Sequence, residues 1–209
     1  ILLVGAGEVG LRKAASILAA NPGRLEVVDP ILAGAIPEIL SGSEVVCHAR
    51  EFQPADLEGK SLIFAATGNR ELNARIAGLC NASGQLCNVI DAPALGSFIV
   101  PAHFRQNGIS VALSTEGQSP ALARKLRGEL EAWCGKRYSP LLTILGRLRP
   151  LLLELELPTG ENTGLFRSLI QSPLADLLED HDLAAASELL ATLLPESLHA
   201  RMGELLHDL

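Results

Sequence analysis

Through the first ninety residues the apolar positions come as short unbroken runs rather than as alternation. Ile1-Leu2-Leu3-Val4 is such a run, and runs of this kind are what strands covered on both faces require. The pattern predicts strands at 1–4, 24–28, 44–49, 61–67 and 86–90. Helical periodicity fills 11–20, closed by Asn21-Pro22-Gly23, and 69–83. Strand–helix–strand units of this length build right-handed crossovers, hence a parallel sheet. After Pro93 the pattern changes. Residues 97–101 and 108–114 read as short strands extending the sheet, and from Ser119 the chain reads as helix to its end. Pro140, Pro158, Pro173 and Pro195 punctuate that stretch, each near a helix start. The fold class is α/β: a parallel-sheet domain at 1–110, a small linking region at 111–140 and a helical domain at 141–209. No internal repeat is visible.

Composition narrows the function classes. Hydrophobic residues make up 48% of the 209, enough to bury a core. A net charge of −7 and 3% aromatic residues argue against a nucleic-acid partner, which calls for a basic face or stacking rings. Cys47, Cys80, Cys87 and Cys134 form no Cys-x-x-Cys pair, so free thiols in a reducing, cytoplasmic setting are expected. His48, His103, His181, His199 and His207 have no ligand spacing, and no resident metal is expected. No run approaches the roughly 20 apolar residues of a membrane span, and no signal peptide is visible. The chain opens inside an apolar run, so native residues ahead of Ile1 are expected.

The first chemical motif is Gly5-Ala6-Gly7-Glu8-Val9-Gly10, placed after a strand and opening a helix. That context is what a Rossmann-type dinucleotide loop demands. Gly5 permits a tight turn, Gly7 lets backbone approach a pyrophosphate, and Gly10 lets helix pack on strand. Glu8 and Val9 begin the helix, whose free N–H groups favour phosphate. Asp29, followed by Pro30, ends the second strand, where a carboxylate accepts from ribose hydroxyls and repels a 2′-phosphate. NAD is therefore expected over NADP. Thr67, Gly68 and Asn69 close the 61–67 strand on the same edge. Asn69 also suits the N-cap of the helix that follows.

A dinucleotide loop names no substrate. Three further stretches do more: Cys87-Asn88-Val89-Ile90-Asp91-Ala92-Pro93, Ser97-Phe98-Ile99-Val100-Pro101-Ala102, and Thr115-Glu116-Gly117-Gln118-Ser119-Pro120-Ala121-Leu122-Ala123-Arg124. Together these resemble the precorrin-2 dehydrogenase/sirohydrochlorin ferrochelatase family, which includes the N-terminal half of trifunctional siroheme synthases. The resemblance runs from Ile1 to about Pro140; beyond Pro158 it amounts only to helical character.

It implies NAD-dependent oxidation of precorrin-2 to sirohydrochlorin, with iron insertion as an open second activity in which Fe²⁺ is a substrate. It also implies a homodimer, with 111–140 as the dimerisation region, and assigns the family's key acid to Asp91. Asp91 ends a strand on the ligand edge, where a carboxylate can take the macrocycle's proton; Asp-x-Pro is equally ordinary turn chemistry. Asn88, Ser119, Arg105, Arg124 and Arg127, with Lys125 alongside, are the candidates for holding the substrate's eight carboxylates. Ser119-Pro120 is also a plain helix start, and each arginine reads equally well as solvated surface. His103 is a minor further candidate. The rival from another class is a nucleotide-sensing regulatory module, which needs the glycine loop and Asp29 but neither Asp91 nor the arginines.

Overall fold

The computed structural model describes residues 1–209 and divides at Val100/Pro101 into two units. In the first, β1 (Leu2–Val4), β2 (Leu25–Val28), β3 (Val45–His48), β4 (Leu62–Ala65) and β5 (Leu86–Val89) form one parallel sheet in the order β3-β2-β1-β4-β5. Val4 pairs with Val28 on one side and Ala65 on the other, so the loops after β1, β2 and β4 leave the sheet level with one another. The order reverses between β1 and β4, the place where open sheets of this kind part to admit a ligand.

Successive side chains alternate between two cores. Leu2, Val4 and Ile63 pack with Ile76 and Cys80 of α2 (Arg70–Ala82), while Leu3 and Phe64 pack with Ala14 and Ile17 of α1 (Glu8–Leu18). Burial pushes the Cys87 thiol up to about 12 and raises Cys80 as well, so both are inert packing groups.

Two carboxylates brace the connection between β3 and β4. Arg50 donates to both oxygens of Asp56 at 2.9 and 2.6 Å, holding that carboxyl below its usual range. Burial pushes Glu26 up, but Lys60 at 3.2 Å and His48 at 3.3 Å outweigh it, so its pKa is also lowered.

Residues 97–101 do not form the expected strand. Ser97 instead clasps the end of the sheet: its N–H donates to the Cys87 carbonyl at 2.8 Å and its hydroxyl accepts from the Cys87 N–H at 2.9 Å. A side-chain bond of this kind replaces a ladder and leaves no period-2 signature. The strands that follow are β6 (Ala102–Gln106) and β7 (Ile109–Leu113), an antiparallel pair in a separate two-stranded sheet. They turn at Asn107-Gly108, both with positive φ, as a two-residue hairpin requires. β6 lies ahead of the expected boundary at 110 but pairs within the second unit.

The rest of that unit is α3 (Pro120–Arg137), α4 (Ser139–Glu154), α5 (Thr159–Gln171), α6 (Leu174–Glu179), α7 (Leu183–Leu193) and α8 (Met202–Leu206). Pro140 lies in the first turn of α4, and Pro158, Pro173 and Pro195 stand at N-caps. Ile144, Leu148, Leu169, Leu190 and Leu205 are fully buried in a leucine-rich core. No helix is long and apolar enough to cross a membrane.

Candidate functional site

The loop after β1 is shaped by two steric constraints. Gly5 has φ +108°, and a Cβ there would stand 2.5 Å from the Ala66 carbonyl oxygen. A Cβ on Gly10 would stand 2.0 Å from the carbonyl oxygen of Gly5, so α1 can lie this close to the strand only with glycine. Gly7 differs: a Cβ there meets nothing within 4 Å and would project into open space. Gly7 is the N-cap of α1 and makes no side-chain cap bond, which leaves the first-turn N–H groups for a ligand. Glu8 and Val9 contribute through that backbone, since their side chains are exposed and Glu8 faces Arg12 at 4.0 Å.

Gly7 lines a cleft of about 610 Å³ together with Asp29, Pro30, Thr67, Gly68 and Asn69. Asp29 accepts from the Ala6 N–H at 2.6 Å through Oδ2 and from the Ile31 N–H at 2.9 Å through Oδ1. Each oxygen keeps a second lone pair for a ribose hydroxyl. Pro30 starts a short 3-10 turn that carries Ile31 over the cleft. The lining sets the carboxylates of Asp29, Glu51 and Glu71 against one guanidinium, Arg75.

On the far side, Asn69 caps α2, accepting from the Leu72 N–H at 3.1 Å. The Thr67 hydroxyl donates to Asn73 Oδ1 at 2.7 Å and accepts from the Asn69 N–H at 3.2 Å. Asn73 in turn donates to Asp91 Oδ1 at 3.1 Å, and Arg70 stands 3.7 Å from Asp91 Oδ2. Asp91, two residues beyond β5, is thereby joined to the Thr67 rim of the cleft through Asn73 and flanked by Arg70, neither of which stands among the residues expected from the sequence. Asn73 is detectable in principle. It shares one helix stripe with Ile76, Ala77 and Cys80, all buried, and a lone amide in an apolar stripe needs partners. Arg70 leaves no comparable signal.

Asn88 is 6% exposed, and its Nδ2 donates to the Phe98 carbonyl at 3.0 Å within the unit. In the second unit Ser119 caps α3, accepting from the Leu122 N–H at 3.2 Å. Arg127 pairs with Glu131 at 3.2 Å and Lys125 with Glu129 at 3.7 Å, both one turn apart. Arg105 and Arg124 are exposed and His103 turns Nδ1 to the Pro101 carbonyl at 3.0 Å. No group of three or more His, Cys, Asp or Glu side chains gathers as a metal site.

A glycine loop at the β1/β4 reversal, an uncapped helix N-terminus and an acid at the end of β2 define a nicotinamide-dinucleotide-binding protein. Residues 1–102 match the family described as putative NAD(P)-binding, and residues 106–132 match sirohaem biosynthesis protein central. Siroheme synthase 1 of Aeromonas salmonicida is 36% identical over 207 residues, 99% of this chain and 44% of that protein. The siroheme synthase of Pseudomonas aeruginosa is 36% identical over 204 residues, 97% of this chain and 44% of the relative. The chain is thus similar to siroheme synthases along nearly its whole length, and it spans less than half the length of these relatives. A solved structure of SirC, precorrin-2 dehydrogenase, shares the fold with a TM-score of 0.70, covering 90% of this chain and 93% of its own at 22% identity.

Proposed function

We propose that the chain oxidises precorrin-2 to sirohydrochlorin with NAD⁺, Asp91 acting as the base. The observation that carries this reading is the placement of Asp91: one carboxylate, held by Asn73, at the strand end next to the Thr67 rim of a dinucleotide cleft. The siroheme synthase relatives supply the substrate class.

The dinucleotide, when bound, supplies the hydride acceptor. Gly7 and the first turn of α1 would hold its phosphates, and Asp29 its adenosine ribose. The macrocycle loses a hydride and a proton in this oxidation, and Asp91 would take the proton. Repulsion between Asp29 and a 2′-phosphate makes NAD⁺ the preferred partner. Arg70, beside Asp91, would meet a carboxylate of the substrate.

A homodimer built on residues 97–133 fits the exposed Leu122 and Trp133 of α3, each about half exposed, since obligate dimers cover surfaces of this kind. Light scattering at micromolar concentration tests the dimer.

The central experiment incubates the protein with precorrin-2 and NAD⁺, NADP⁺ or no cofactor, and follows sirohydrochlorin absorbance. Oxidation with NAD⁺, weaker with NADP⁺ and absent without either, is expected. Tight NAD⁺ binding without oxidation would return the chain to the nucleotide-sensing class.

A further inference from the structure

Asn73 is 1% exposed and stands between the two strand ends that the proposed reaction must coordinate. A primary amide has two N–H donors and two acceptor positions, and here all four are engaged. Oδ1 accepts from the Thr67 N–H at 3.2 Å and from the Thr67 hydroxyl at 2.7 Å. Nδ2 donates to the Thr67 carbonyl at 3.0 Å and to Asp91 Oδ1 at 3.1 Å. The orientation is dictated by chemistry: a flipped amide would set N–H against the Thr67 N–H and oxygen against both a carbonyl and a carboxylate. No other side chain of this length offers two acceptors on one side and two donors on the other. Aspartate lacks the donors, leucine lacks both, and serine is too short to reach both ends.

We propose that Asn73 is a positioning residue, which fixes the Asp91 carboxylate relative to the Thr67 rim of the cofactor cleft so that proton and hydride leave in a set geometry. Its consequence for turnover rests on the dehydrogenase reading; the bridge itself rests on geometry alone. Arg70, nine-tenths exposed and 3.7 Å from the other oxygen of Asp91, supplies charge but not restraint. A buried amide with four bonds holds its partner far more firmly than a long solvated side chain does.

The test uses the full chain with precorrin-2 and NAD⁺, in Asn73→Asp and Asn73→Ser, each also combined with Asp91→Ala. Asn73→Asp should lower kcat by ~10–10²-fold, the order associated with about 1 Å of misplacement. NAD⁺ affinity and KM should change far less. In the Asp91→Ala background the same substitution should cost almost nothing, because a group acting through Asp91 has nothing left to act on. Asn73→Ser, which keeps a hydroxyl and introduces no buried charge, should show the same split if the aspartate variant is too unstable to purify.

A folded variant with parental kcat, or an equal loss with and without Asp91, would overturn the proposal. The NMR resonances of the Asn73 side-chain NH₂ report the bridge without turnover. They should exchange slowly with solvent in the parent and be displaced in Asp91→Ala. If the parent fails to oxidise precorrin-2 while those resonances behave as stated, the dehydrogenase reading falls and the bridge stands. If they are unmoved by Asp91→Ala, the bridge falls whatever the activity.

Discussion

The two units are of nearly equal length but distribute their polar groups differently. In the first, polar side chains hold the loops at two strand ends, Asp29 on the glycine loop and Asn73 between Thr67 and Asp91, while Asn88 and Ser97 make bonds along β5. In the second, Arg127 pairs with Glu131 and Lys125 with Glu129 one turn along α3, and the longer-range pairs of Arg137 with Asp176 and Glu179 tie α3 to α6 over a core of leucines. Local pairs of this kind contribute little and recognise nothing. What sets the first unit apart is a buried side chain, Asn73, with all four polar positions engaged between two loops of the candidate site.

Substitutions should separate the two units. Asp91→Ala carries the largest expected effect, a loss of ~10²–10⁴ in the rate of precorrin-2 oxidation, as for removal of a general base. Its NAD⁺ affinity should stay near the parent's and its stability should fall by no more than about 1–3 kcal/mol, since the loss opens no core cavity but leaves one Asn73 N–H without its partner. Parental turnover would reduce it to a turn former.

Leu148→Ala should do the reverse. It removes a fully buried side chain of α4 and should cost ~2–5 kcal/mol of stability in denaturant titration. NAD⁺ affinity at temperatures where the variant is folded should be unchanged; a parallel loss of binding would make the second unit part of the cofactor site.

Glycine substitutions sharpen the contrast further. Gly10→Ala forces a methyl against the Gly5 carbonyl and should cost ~1–3 kcal/mol while weakening NAD⁺ binding. Gly146→Ala lies at an exposed position of α4, where an added Cβ meets nothing within 4 Å, and should gain ~0.5–1 kcal/mol with no effect on the nucleotide. A destabilised Gly146→Ala would show that this helix face is covered in the assembled protein.

The smallest expected difference is a pH effect. Asp56 and Glu26 titrate lower in the folded chain than unfolded. Their contribution is therefore complete above the ordinary carboxylate range and is lost as pH falls through the depressed folded values. Hydrogen exchange between neutral pH and about pH 3, below the ordinary carboxylate range, should lose more protection at Val27 and Cys47 than at Leu148. Equal loss would deny the carboxylates that role.

The parallel sheet and its glycine loop are legible in the sequence because each depends on local properties: unbroken apolar runs, and a turn only glycine can make. The capping roles of Asn69 and Ser119 are legible for the same reason. Residues 97–101 are misread because Phe98, Ile99 and Val100 are strand-formers by type. Their conformation is set instead by bonds that Ser97 and Asn88 make across the fold. The arginines of α3 read as a patch by proximity in sequence, yet the acids one turn away that pair with two of the basic residues stand in the same sequence. Asn73 escapes the reading because its meaning lies in residues 6 earlier and 18 later.

The bonds of Asp29 tie two properties that are usually free to vary separately. Its carboxylate fastens the glycine loop through Ala6 and the start of the next turn through Ile31. A descendant adopting a phosphorylated cofactor could not simply exchange this acid for a neutral or basic residue. It would first need another anchor for the loop, because the intermediate would lose shape before gaining a new preference. On the proposed preference for NAD⁺, cofactor choice is guarded by foldability as well as by charge.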